Sequence, residues 1–599
     1  MGGKAVLIRS VLHSMPLHII SVAHPPKTIL DLIEKSLANF FWGSSEGKKK
    51  YHWISWKKLC YPKIEGGVGF RSLHDICNTF AAKAWWNFRT QNSLLTKFLE
   101  AKYCKRIHAV FRKKNYSQSH IWRRLMDARN DCEHNILWKV GDGNLSFWWD
   151  NWTNRGALAM LVDQSTHSKN TKVSDFINSN HWNTSMLHEI LPSDLVVHIL
   201  TIKIFAGNQD HAVWTPEHTG SFSSKSAWNA LRQSNGSSPT SKNIWHTKLP
   251  FKISFHMLRL LNNKLATDDS LSRFGVQGPS KCLCCHNGMN ENINHLFSYG
   301  QIAEKVWKFF EHTLGLLWPN SDSIRTKLMR WWHIKSTNKV LELTTQCLPS
   351  VICWELWKHR CTYKYEGTKI YSGNIIHQAT YHIHLILTSQ FPSLKFPTKF
   401  RSICRMMENI KPKIDITPVL WSKPNYGEYK LNVDGCSKGN PGSAGGGGIL
   451  RNHMGHMIMA FTTYFGHSSN NLAEARAIKI GLKWCIDHGL NVLTIESDSL
   501  TVINMINKAT TTTWSIKEEI NDIHNMTSKG NFQFIHIFRE GNNAADLLAN
   551  YAELDRKNDF FTETSHLPRK IVATMKNDEE ARPNFRIRLR KNTFIFDPG

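Results

Sequence analysis

The chain is short of acid. Asp and Glu together number 47, against 75 Lys and Arg, which leaves +28 at neutral pH over 599 residues. That imbalance suits a polyanionic partner, and nucleic acid is the usual one. Cysteine is sparse as well: the 13 residues are irregularly spaced. Such a density excludes a disulfide scaffold and points to a reducing compartment. Long apolar runs are missing. The apolar start Ala5-Val6-Leu7-Ile8 is soon interrupted by Arg9, His13, Pro16 and His18, so neither a membrane span nor a cleaved leader is expected. An intracellular protein is the expectation, with nucleus and cytoplasm left open. Internal repeats and low-complexity tracts are also absent.

What is present is length enough for several domains. Residues 1–105 read as mostly helical, with Leu30, Ile33, Leu37 and Phe40 at helical spacing after Pro25-Pro26. The glycine-rich stretch 62–70 lacks the spacing and the Gly-Lys-Ser/Thr ending of a phosphate loop, and reads as a structural turn. Residues 106–212 are polar and Trp-rich, and Gly141-Asp142-Gly143-Asn144 reads as the turn of a hairpin. Residues 213–312 form a helical unit around a cysteine cluster. Residues 313–425 read as a connector, ending in linker-like pieces at Lys411-Pro412-Lys413 and Ser422-Lys423-Pro424-Asn425. Residues 426–556 alternate strands and helices. Residues 557–599 form a basic tail, whose alternating Phe585 to Lys591 suits an edge strand or a backbone-binding arm.

Four carboxylates stand out in the alternating segment. Asp434 ends the strand-like run Tyr429 to Val433, and Asp498 ends the run Val492 to Ser497. Glu474 falls in the first turn of a helix starting near Asn470, whose buried face carries Ala475, Ile478, Leu482 and Cys485. Asp546 follows Gly541-Asn542-Asn543 at the start of another periodic stretch. Taken singly, each acid suits an ordinary surface position. Together, acids at the ends of neighbouring elements can converge, and converging acids repel unless divalent cations hold them. A metal-dependent hydrolase acting on a phosphodiester follows from that pattern.

The flanks of these acids sharpen the reading. Asp434-Gly435 with Gly439-Asn440-Pro441-Gly442, then Asn470-Asn471-Leu472-Ala473-Glu474, Glu496-Ser497-Asp498-Ser499, and Arg539-Glu540-Gly541-Asn542 with Ala545-Asp546, occur in that order. This segment resembles a type 1 ribonuclease H domain of the kind attached to plant LINE-type (non-LTR) retroelement proteins. The resemblance implies a mixed five-stranded sheet with helices on both faces, preceded here by mainly helical regions. It implies Asp434, Glu474, Asp498 and Asp546 as catalytic ligands of two Mg2+ ions. Such ions can activate water on one side of a phosphorus and stabilise the leaving oxygen on the other. Asn440, Asn470 and Asn471 match family positions that contact the minor groove of an RNA–DNA hybrid, where an amide can bond a 2′-OH. Arg539 and Asn542 are the further substrate-binding candidates. Two departures appear. Leu500 stands where many bacterial relatives carry a substrate-touching Gln. The loop before Asp546 lacks the His of several relatives, leaving Arg539 or His536 to assist product release.

Upstream, Cys282 and Cys285 form a C-x2-C pair, with His295 ten residues on. These are three of the four ligands of a structural Zn2+ site. With Gly220-Ser221-Phe222-Ser223, Ala227-Trp228, Trp245, Pro250-Phe251-Lys252 and His295-Leu296-Phe297, the segment resembles the zinc-binding domain of plant reverse transcriptase proteins. The family's fourth ligand, a Cys five residues after the His, is replaced by Gly300; Cys284 or His286 are the possible substitutes. Pieces of 1–105, among them Phe41-Trp42-Gly43, Trp53 to Trp56 and Lys83-Ala84-Trp85-Trp86, resemble the region after the polymerase palm. No aspartate pair in a strand-turn-strand setting is found, so polymerisation by this chain alone is not expected. The expected function is Mg2+-dependent endonucleolytic hydrolysis of RNA in RNA–DNA hybrids. The rivals are a non-catalytic nucleic-acid-binding module and a decayed retroelement remnant.

Overall fold

The computed structural model describes the chain except residues 46–47, 50, 163–166, 169, 273–274, 276–279, 283–284, 286–287, 320–322, 529 and 597–599. Burial, more than chain order, sets the upstream bodies. Helices from 1–70 and from 244–410 share one core, containing Phe41, Phe70, Phe255, Trp307, Trp331, Ile352 and Ile383. The helices Lys339–Glu366 and Ser372–Gln390 are part of it. The segment expected as a connector is therefore packed structure. Its first helix repeats Val340, Leu343, Cys347 and Val351 at helical spacing, a stripe that water disfavours. A second core joins Trp85, Phe88 and Trp122 to Trp214 and Ala227. A third surrounds Phe147, Trp152 and Ile199.

The hairpin expected around Gly141 does not form. Strand Ile136–Lys139 pairs instead with His211–Trp214, antiparallel. The glycine turn is held by Asp210, whose carboxylate accepts from the N–H groups of Gly141, Gly143 and Asn144 at 2.7, 3.0 and 2.6 Å. A distant carboxylate satisfying three backbone donors replaces the local strand partner.

The C-terminal unit is α/β. Its strands are β1 (Ile410–Val419), β2 (Tyr429–Lys438), β3 (Gly442–Arg451), β4 (Met457–Ser468), β5 (Val492–Ser497), β6 (Asn531–His536), β7 (Asp559–Phe561) and β8 (Asn584–Phe596). Its helices are α1 (Asn470–Asp487), α2 (Leu500–Ile506), α3 (Lys517–Thr527), α4 (Asn543–Asp555) and α5 (Arg569–Glu579). The main sheet runs β6-β5-β2-β3-β4-β7, parallel across β6, β5 and β2 and antiparallel from β2 onward. The five expected strands are thus present, and β7 adds a sixth at the β4 edge.

Helices cover both faces. Leu431, Val433, Ile478, Leu482, Ile495, Val502 and Ile520 are buried on the α1–α3 side. Ile449, Leu548, Ile571 and Met575 form the core beneath α4 and α5. Gly447 lets α4 approach the strand: a Cβ there would meet Leu548 Cβ at 2.5 Å.

The stretch 557–599, expected as a tail, supplies β7, α5 and β8. Strand β8 pairs antiparallel with β1, from Asn584 opposite Val419 to Phe596 opposite Ile410. Of the two readings of the basic alternating segment, the strand is the one formed. Lys411-Pro412-Lys413, expected as linker, lies within β1; Pro412 and Pro418 are tolerated because the ribbon has only two strands and two edges. The unit also contacts the upstream chain. Trp514 N–H donates to His218 O at 2.9 Å, and Lys139 and Lys203 pair with Glu518 and Asp522 at 2.7 and 2.6 Å. Among the described residues no helix is long and apolar enough to cross a membrane.

Candidate active site

Strand β2 delivers Asp434 to the sheet centre, 5 % exposed. The next residue decides what can stand beside it. A Cβ on Gly435 would lie 2.2 Å from Glu474 N, so only glycine admits the start of α1 this close. Glu474, 3 % exposed, therefore sits against Asp434. Helix α1 begins at Asn470, which makes Glu474 its fifth residue and not a first-turn one as expected. Its support comes from Ser497 Oγ, which donates to Oε2 at 3.3 Å, and from Gly435 N–H. Asp498 follows the last residue of β5, half-buried.

Ligand oxygens of Asp434, Glu474 and Asp498 all lie within 4.8 Å of one another. Two like charges about 4 Å apart repel by about 4 kcal/mol at an effective dielectric of about 20. The titration behaviour follows. Burial first, then the charge and hydrogen bond of Asp498, then Asp546, hold the Asp434 carboxyl well above the usual carboxylate range, with Arg539 acting the other way. Burial, Asp434 and Asp498, in that order, do the same to Glu474, against the donors Ser497 and Gly435. An all-oxygen, mutually repelling set with two buried members fits a hard divalent cation such as Mg2+.

Asp546 lies outside that trio. It occupies the first turn of α4, and its Oδ1 is paired with Arg539 Nη2 at 2.5 Å. The remaining candidates divide. Asn440 is exposed in the β2–β3 turn, and its Oδ1 accepts from Asn470 N–H at 2.9 Å, tying the turn to the start of α1. Asn470 and Asn471 are half-exposed there, and Leu500 is exposed. His536 is the last residue of β6 and packs edge-on against Phe538. Asn542 does not face substrate. It is 1 % exposed, and its Nδ2 donates to Val433 O at 2.9 Å while its Oδ1 accepts from Asn432. Its carboxamide is consumed in fixing β2 behind Asp434.

That contact opens onto a buried network that sequence reasoning missed. Asn432, 0 % exposed, donates to Glu496 and Asn542 at 2.9 and 3.1 Å. It accepts from Trp421 Nε1 and Arg451 Nη2 at 2.9 and 2.8 Å. Glu496 pairs with Lys430 at 2.9 Å, and Arg451 with Asp578 of α5 at 2.7 Å. The available signal was polar residues interrupting apolar strand runs, at Asn432 and Glu496.

The region from 432 to 552 matches the family described as reverse transcriptase-like, and 222–307 matches the one described as zinc-binding in reverse transcriptase. A protein of Arabidopsis thaliana named as a ribonuclease H is 24% identical over 92% of this chain and 89% of its own length. An uncharacterized mitochondrial protein of the same plant is 28% identical over 23% of this chain and 92% of its own. The two matched families and the two plant relatives are consistent with a plant retroelement-derived protein. Its C-terminal unit is a ribonuclease H-like domain, and ribonuclease HI of Halobacterium salinarum is 28% identical over 23% of this chain and 70% of its own. The crystal structure of that organism's RNase H1 covers 22% of this chain and 100% of its own, at 27% identity and a TM-score of 0.21.

In the segment matched by the zinc-binding family, donor atoms of Cys282, Cys285 and His295 also fall within 4.8 Å of one another. Cys285 Sγ lies 3.0 Å from His295 Nε2 and accepts from Gln301 N–H at 3.4 Å. Burial raises the Cys285 thiol and lowers the His295 imidazole. The set fits three corners of a tetrahedral zinc site. At the fourth, a Cβ on Gly300 would stand 3.4 Å from His295 Nε2 but 2.4 Å from His295 O. The turn would have to open before a cysteine could enter. Cys284 and His286, the substitutes considered from sequence, lie outside the described residues.

Proposed function

We propose that the ribonuclease H-like domain hydrolyses the RNA strand of RNA–DNA hybrids with two Mg2+ ions. The observation that carries this is the convergence of buried Asp434 and Glu474 with half-buried Asp498, mutually repelling, from three neighbouring elements. Asp434, Glu474 and Asp498 would hold the cations, joined by Asp546 when Arg539 leaves it. Bound there, divalent ions supply an activated water and charge neutralisation at phosphorus. The protein's own groups do the rest. Asn440 of the β2–β3 turn is tied to the start of α1, where Asn470 and Asn471 stand half-exposed, and amides there can bond a 2′-OH. The Arg539 guanidinium, exposed and swinging from Asp546, can take a backbone phosphate. Asn432 and Asn542 fix the strand that carries Asp434. The net charge of +28 favours the hybrid backbone generally.

The second reading is hybrid binding without cleavage, favoured by the commitment of Asp546 to Arg539. Incubating the full chain with a labelled hybrid in Mg2+, beside Asp434→Asn, separates the two. Cleavage by the parent alone supports the nuclease. Binding by both with cleavage by neither supports the module, and equal cleavage by both removes these carboxylates from the reaction.

A further inference from the structure

A cavity of ≈ 550 Å³ lies far upstream in sequence from the carboxylates, between the N-terminal helices and helix Ser224–Leu231. Arg9, Arg71 and Lys225 line it, together with the rings of His13, Phe80 and Trp228. No carboxylate is among the described residues of its wall. Three cations around one space repel each other, and a bound anion would relieve them.

The cations are available. Arg9 gives one N–H to Val68 O at 2.5 Å and lies 5.6 Å from the Phe70 ring. Burial lowers its pKa with no acid to offset it. Arg71 and Lys225 are exposed, and the Arg71 guanidinium lies 5.6 Å from the Trp228 ring. Arg232 lies over the same ring at 4.6 Å, but Glu65 neutralises it. His13 is 7 % exposed, and its Nε2 is buried without a hydrogen-bond partner. Burial, then Arg71, then Arg9, lower its pKa to about 4, so the ring is neutral at pH 7. Trp56 and Phe70 hold it edge-on. A neutral imidazole N–H beside two guanidinium groups is a donor set for phosphate oxygens. Trp228 and Phe80 supply flat apolar surface for a base. The volume falls within the range of small-ligand pockets, about 300–1,000 Å³.

We propose that this cavity takes one nucleotide unit of a nucleic-acid strand, its phosphate on Arg9, Arg71 and Lys225 and its base against Trp228 or Phe80. The site is independent of the nuclease reading, because all its residues fall between 9 and 228. Free nucleotides share the chemistry and are distinguished in the test.

The test uses the full chain and a fluorescent twelve-nucleotide oligothymidylate carrying one 5-iodouracil, with anisotropy followed across salt. Arg71→Ala/Lys225→Ala changes only exposed side chains, and its unfolding midpoint checks the fold. Affinity should drop roughly ten- to thirtyfold near 0.1 M salt, with the salt slope shallower by about 1.4, as two lost phosphate contacts require. Photocrosslinks should map to peptides containing Phe80 or Trp228. A control pair, Lys248→Ala/Lys369→Ala, removes two exposed charges elsewhere. Binding by the cavity variant as tight as by the control pair overturns the proposal. In a calorimetric arm with AMP, silence assigns the site to strands. AMP binding by the parent that the cavity variant loses extends it to free nucleotides.

Discussion

The chain holds two sets of three converging ligands, and they are built differently. Asp434, Glu474 and Asp498 stand on two strands and a helix of one sheet, braced by the Asn432 network behind them. Cys282, Cys285 and His295 stand on a loop and on the short helical turn His295–Tyr299. The oxygen set is fixed by backbone pairing and close glycine contact, so its repulsion persists until a cation or proton arrives. The sulfur–nitrogen set stands outside any sheet, held by Cys282 N–H donating to Met289 O at 2.7 Å and His295 N–H donating to Asn292 Oδ1 at 2.8 Å, and its fourth corner is backbone at Gly300. Beside it, the Glu291 carboxylate pairs with Arg360 at 2.5 and 3.1 Å and ties the loop to the helix Lys339–Glu366. Rigid elements pre-position a metal site; loops borrow their order from a neighbour.

The sharpest way to break this contrast is Asp434→Asn. Hybrid cleavage in Mg2+ should fall on the order of a thousandfold or more, since removing even one preorganised charge-stabilising donor is worth 10²–10³; retained cleavage would dissolve the oxygen site as an active centre. Next is Arg360→Ala, which strands a buried Glu291 and should cost about 3–5 kcal/mol in urea unfolding of the upstream body. Arg360→Met/Glu291→Leu should recover most of it. If zinc content per chain is unchanged by Arg360→Ala, the ion pair does not order the cysteine loop.

Smaller is the pH response of the metal-free ribonuclease H-like domain. Asp434 and Glu474 titrate higher in the folded state than in the unfolded chain. The native state thus holds more protons between the two values, and stability must fall as pH rises above about 4 through that window. Unfolding midpoints in EDTA at pH 5 and pH 8 should show the decline, and Mg2+ should flatten it. The smallest effect is Arg539→Ala. Freed from its partner, Asp546 should lower the Mg2+ concentration for half-maximal cleavage a few-fold while the maximal rate falls by about tenfold or less.

Legibility tracked contact range. Strand runs, the turn at Gly439 to Gly442 and the order of the acids are local patterns, and the α/β ribonuclease H-like fold follows from them, although Asp434 lies within β2 and does not end it. The network behind the site is not local. Arg451 meets Asp578 across 127 residues, and Asn542 meets Val433 across 109. Nothing near Asn542 in sequence distinguishes an amide facing a hybrid from one buried under a strand. The upstream bodies were obscured for the same reason: Phe41 and Ile383 share a core, yet no periodicity links them.

The pairing of β1 with β8 has a consequence of another kind. The strand by which the chain enters the ribonuclease H-like domain lies against the strand by which it leaves. Entry and exit therefore form one seam, closed like a clasp. Ile410, the first residue of the entry strand, also belongs to the upstream core, and Asn338 Nδ2 donates to its carbonyl at 3.3 Å, so the clasp that closes the domain also rivets it to the body before it.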